Sequence, residues 1–148
     1  MQDDSRSFFE QLHHAPLFTT AELAEQWASI ARRREPWRSM PLDDLLGELT
    51  SVISIMLGEG PGPDDRPPRR LELSARTHGS FRRRQGIGVS AVTDESIMLL
   101  EALQDILQRH GASAGIVEAV IAHLGRDLHL ARHAMCAGYL DGPSCPRA

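Results

Sequence analysis

The sequence contains no lysine, for all sixteen of its basic residues are arginine. That absence removes Schiff-base and lysine general-base chemistry from the candidate mechanisms, and a P-loop with them. No Gly-x-Ser-x-Gly elbow, His-Glu-x-x-His pair or glycine-rich phosphate loop occurs, and the adjacent acids Asp43-Asp44 and Asp64-Asp65 do not by themselves make a catalytic dyad. An enzyme is therefore the least favoured class. No apolar run approaches the ~18 residues that a membrane span needs, and the acidic opening Met1-Gln-Asp-Asp-Ser-Arg lacks the apolar region of a secretory signal. The two cysteines, Cys136 and Cys145, fall outside any Cys-x-x-Cys pattern. These absences lead us to expect a cytoplasmic protein with no structural disulfide, no membrane contact and no cofactor.

What is present is an ordinary globular composition, 41% hydrophobic and 24% charged, in a chain of 148 residues, enough for one core. A formal net charge of −4 argues against a general electrostatic grip on nucleic acid. Apolar residues recur at three- and four-residue spacing, without the alternation of strands, so the pattern predicts an all-α single-domain bundle of about six helices. The expected helices are 5–13, placing Phe8, Phe9 and Leu12 together; 20–34, capped by Thr19 with Glu22; 41–57, opened by Pro41; 69–85, stopped by Gly86; 90–110, capped by Ser90; and one from Ser113 to Gly138 or Leu140. In the second of these, Arg32-Arg33-Arg34 reads as cations at the helix C-terminus. The four prolines and two glycines between Glu59 and Pro68 mark a loop. The resulting division is an N-terminal arm (1–19), a helical domain (20–140) and a tail (141–148).

The most individual stretch is Arg76-Thr-His-Gly-Ser-Phe-Arg-Arg-Arg-Gln-Gly86, followed by Asp94-Glu95 and a leucine-rich helix. Its residues His78, Gly79, Arg82, Gly86 and Glu95 resemble the N-terminal sensory domain of RsbR/RsbRD-type proteins, the co-antagonists of the stressosome kinase RsbT. The resemblance extends over about residues 24–140, although this chain has Ser96 and Leu100 where the family often has an aromatic and an arginine. It implies a globin-like helical domain without haem. It also implies a homodimer that acts in stress signalling as the input to a STAS domain, a kinase or a transcription regulator. The long last helix, with few charges on parts of its outer face, is the expected symmetric contact.

The residues have a physical reading independent of that likeness. His78 and Arg82 lie one turn apart, so either could pair with Glu95 on the next helix and lock two helices together. Gly79 would let another helix or a small anion approach the backbone. Histidine phosphotransfer at His78 is the competing function, and it requires an exposed ring with a free nitrogen. Metal or haem binding is a further alternative, because His129, His133 and Cys136 share a helical face that points away from the apolar stripe. Finally, seven arginines stand against Glu72 alone between positions 66 and 84, a patch suited to a phosphate-bearing ligand or an acidic protein surface. With Phe81 its only aromatic, nucleic acid is disfavoured there.

Overall fold

In the computed structural model, residues 18–58 and 67–141 are described, and among them six helices and no strand are found. The protein is an all-α helical bundle. The helices are α1 (Thr20–Ala31), α2 (Leu42–Leu46), α3 (Leu49–Met56), α4 (Pro67–Arg84), α5 (Val89–Arg109) and α6 (Ala114–Asp141). The helix expected at 5–13 lies outside the described residues.

The apolar stripes converge as their periodicity requires. Leu23, Trp27 and Ile30 of α1, Val92, Leu99, Leu103, Ile106 and Leu107 of α5, and Val120, Leu124, Leu128, Ala131 and Met135 of α6 are all buried. Phe18 is buried with them, so the core begins inside the segment assigned to the N-terminal arm. At the other end α6 continues through Asp141, one residue into the expected tail.

Helix ends follow local chemistry. The Thr19 hydroxyl accepts the Glu22 N–H at 3.1 Å, whereas the Glu22 carboxylate turns away to His110, also 3.1 Å off, and ties the start of α1 to the end of α5. Ser113 accepts the Ile116 N–H at the start of α6. At the end of α4, Gly86 adopts φ +79° while its N–H and that of Ile87 return to the Arg83 and Arg82 carbonyls, a Schellman stop. Two expectations about helix ends need correction. Helix α5 starts at Val89 behind Gly88, so Ser90 lies within its first turn rather than at its cap. Helix α1 stops at Ala31, so the arginine triplet lies in the following turns. There Arg32 and Arg38 donate to the carbonyls of Arg38 and Arg33, and Arg34 reaches Glu101.

The largest departure is at 41–57, where one continuous helix was expected and two are found. Gly47 takes φ +50°, outside helical space, and a Cβ there would come within 2.6 Å of the Phe81 ring. The break leaves the Asp44 and Leu45 carbonyls and the Glu48 N–H without partners inside a helix, available to side chains of α4.

Helices α4 and α6 cross at very close range. A Cβ on Gly79 would overlap the Met135 carbonyl, and one on Gly138 would overlap the Arg76 carbonyl. Of the two approaches that Gly79 permits, the one realised is another helix.

Candidate functional site

The pairing of His78, Arg82 and Glu95 is realised in full, and their side chains are completely buried. Helix α4 presents His78 and Arg82 from successive turns of its inner face, and α5 supplies Glu95 from its second turn. Glu95 Oε1 accepts from Arg82 Nε and Oε2 from His78 Nε2, each at 2.5 Å. One carboxylate thus joins both α4 side chains.

Backbone from the α2–α3 break completes the network. The Glu48 N–H donates to His78 Nδ1 at 3.2 Å, which makes Nδ1 the acceptor and places the ring hydrogen on Nε2, facing Glu95. Arg82 Nη1 donates to the Asp44 carbonyl at 2.7 Å and to Gln85 Oε1 at 2.9 Å, and Nη2 donates to the Leu45 carbonyl. Gln85 returns a bond of 2.9 Å to the same Asp44 carbonyl. Among the described residues no buried side-chain nitrogen or oxygen lacks a partner.

Aromatic rings wall the site. The Arg82 guanidinium carbon lies 4.7 Å from the centre of the Trp37 ring, a cation–π contact with both groups out of water. Trp37 meets Trp27 edge to face at 6.0 Å, and Trp27 Nε1 donates to the Glu95 backbone carbonyl at 3.0 Å. Desolvation by burial lowers the Arg82 pKa from its ordinary value, while the charge and hydrogen bond of Glu95, then the charge of Asp44, act in the opposite direction. The carboxylate is thus the counter-ion that makes a buried guanidinium tolerable.

Gly79 and Gly86 belong to the same assembly without touching the charged atoms. The first lets α6 pack behind the site, and the second ends α4 one turn after Arg82. Next to that turn, Arg83 Nη1 donates to the Tyr139 and Leu140 carbonyls at 2.8 and 3.0 Å, and the Tyr139 hydroxyl donates to the Ile87 carbonyl at 2.7 Å. The end of α6 is thereby fastened to the α4–α5 turn.

Sequence reasoning missed Trp37, the Glu48 amide and the two accepting carbonyls. A lone glycine in an otherwise helical run, Gly47, was the available signal for the break. The other candidate cluster is not assembled. His129 and His133 are exposed and Cys136 is half-buried, and among the described residues no group of three His, Cys, Asp or Glu side chains is placed to hold a metal. Among them, too, no helix is long and apolar enough to cross a membrane. The chain matches no protein-family profile, no curated protein and no solved structure.

Proposed function

We propose that this chain is a non-enzymatic regulatory domain that reports a signal through the arrangement of its helices and passes it on by protein contact. The supporting observation is the buried His78–Glu95–Arg82 network, which joins α4, α5 and the α2–α3 break through groups that all have partners. Such a network is satisfied in one relative placement of its helices. A shifted placement leaves charged or polar atoms buried without partners, so intermediate positions are penalised and the fold favours discrete states. A signal that binds one state better than the other then shifts the population.

The same geometry argues against chemistry at His78. A phosphoacceptor needs a ring nitrogen open to the donor, yet both nitrogens are engaged and the side chain has no exposed surface. The resemblance to RsbR/RsbRD-type sensory domains supports the rest of the proposal: a globin-like, haem-free, cytoplasmic homodimer whose output is a STAS domain, a kinase or a transcription regulator.

Relaxation-dispersion NMR at the Glu48 amide and the Trp27 indole N–H tests the switch, since both report on the network from different elements. Concerted millisecond exchange to one minor state is the expected result. A single rigid state at both positions, or phosphate incorporation at His78 from a phosphodonor, overturns the proposal. Light scattering with an absorption spectrum and metal analysis of the same peak tests the rest: a colourless, metal-free dimer is expected, and a Soret band or stoichiometric metal overturns it.

A further inference from the structure

The outer face of α4 carries a second polar assembly, turned away from the buried network. Arg76, Thr77, Ser80 and Arg84 fall within an arc of about 100° at 3.6 residues per turn, while His78 and Arg82 point to the opposite side. With Gly138 and Asp141 of α6 they line an open cleft of about 280 Å³. One wall of the cleft is the close helix crossing, where Gly138 packs directly against the Arg76 backbone.

The cleft already holds one oxyanion from the chain itself. Arg76 Nη2 lies 3.4 Å from Asp141 Oδ2, and its Nη1 lies 3.7 Å from Glu72 Oε1. Asp141 is 71% exposed, so this ion pair is weak and readily exchanged for a better one. Arg84, about 12 Å further along the axis at 1.5 Å per residue, closes the other end of the polar row and is exposed. Thr77 and Ser80 line the cleft between Arg76 and Arg84 in sequence; the Thr77 hydroxyl donates to the Leu73 carbonyl at 3.0 Å, which leaves Ser80 as the hydroxyl donor. The negative end of α6 nearby is blunted by Arg83, which covers the Tyr139 and Leu140 carbonyls. Arg82 is bonded to Glu95 and Arg83 to the carbonyls of α6, so the guanidinium groups that line the cleft are those of Arg84 and of Arg76, the latter held by two exposed carboxylates.

We infer that this cleft binds a phosphomonoester dianion, held by Arg76 and Arg84 with a hydroxyl bond from Ser80, and that Asp141 is the internal carboxylate it displaces. Guanidinium forks match phosphate geometry, and a dianion competes well against one exposed carboxylate. The site is distinct from the buried network and does not depend on the regulatory proposal.

NMR titration of the full chain with inorganic phosphate, and in parallel with O-phosphoserine, provides the test. Saturable shifts at the Thr77 and Ser80 amides are expected. Arg84→Ala weakens binding at least fivefold, and Asp141→Asn tightens it several-fold; both residues are exposed, so the fold is retained. Equal affinity for the two probes assigns the site to free phosphate, and tighter O-phosphoserine assigns it to a phosphoryl group on a carrier. Non-saturating shifts spread over all surface arginines overturn the inference, as does binding unaffected by either substitution. A third overturning result is binding of a DNA duplex with steep salt dependence while phosphate leaves the cleft unshifted.

Discussion

The Glu48 amide donates to Nδ1 of His78 across the gap between α2 and α3, 3.2 Å from a ring whose other nitrogen faces Glu95. A break in one helix thus fixes the tautomer of a histidine on another. The hydrogen on Nε2 follows from that donor, and nitrogen NMR at neutral pH is expected to show a pyrrole-type Nε2 and a pyridine-type Nδ1 for His78. The reverse assignment would mean that the Glu48 bond is not formed in solution.

Among the described residues Glu95 is the sole carboxylate bonded to Arg82, so replacing it should be far more damaging than replacing a surface acid. Glu95→Gln keeps the shape but strands a buried guanidinium, and a loss of about 3–5 kcal/mol in urea unfolding is expected for breaking such a pair. Arg82→Met in the Glu95→Gln background should recover part of that loss, because it removes the orphaned charge. A double-mutant cycle returning purely additive effects would show that the pair is not coupled.

The glycines of α4 and α6 are separable by what surrounds them. Gly79→Ala and Gly138→Ala push a methyl group into the backbone of the facing helix, so each should destabilise the fold by about 2–4 kcal/mol, in the range of severe overpacking. Gly125 lies in the same helix as Gly138 with nothing within 4 Å of its would-be Cβ. Gly125→Ala should stabilise by up to about 1 kcal/mol through helix propensity alone. Thermal unfolding of the three variants checks the contrast, and similar behaviour at all three positions would contradict the close crossing.

How much of this was legible in the sequence depended on the range of the interaction. The stripes of α1, α5 and α6 were readable because helical periodicity is local, as were the Thr19 cap and the Gly86 stop. The pairing of His78 and Arg82 with Glu95 was also within reach, since one turn of helix and one short connection separate the three. Glu48, Asp44 and Leu45 were not, because they take part through backbone atoms, and backbone atoms carry no residue-type signal. Leu42 to Leu57 has the apolar spacing of one long helix, and only the packing of Phe81 against Gly47 shows why it is interrupted. Trp37 stands among turn residues, where periodicity gives no direction, yet it is buried against the guanidinium. The match of Gly138 to the Arg76 backbone required two residues 62 positions apart on different helices to be brought together, which no local pattern encodes.

Asp127 on α6 supplies a dependence on pH. Partial burial raises its pKa above the ordinary aspartate value, and the charge of His123 offsets this only in part. A carboxyl group with a raised folded-state pKa binds protons more readily in the native than in the unfolded chain. Its contribution is therefore most favourable below the unfolded aspartate pKa and is lost as pH rises through the folded value. At neutral pH the ionised group opposes folding, so Asp127→Asn is expected to stabilise the protein by about 0.5 kcal/mol, the scale of substitutions at incompletely buried sites. The gain should shrink as pH falls below the unfolded aspartate pKa, where both chains carry a neutral side chain. Urea unfolding of the two proteins across the acid range measures the difference directly, and a gain that grows toward low pH would reverse the assigned direction.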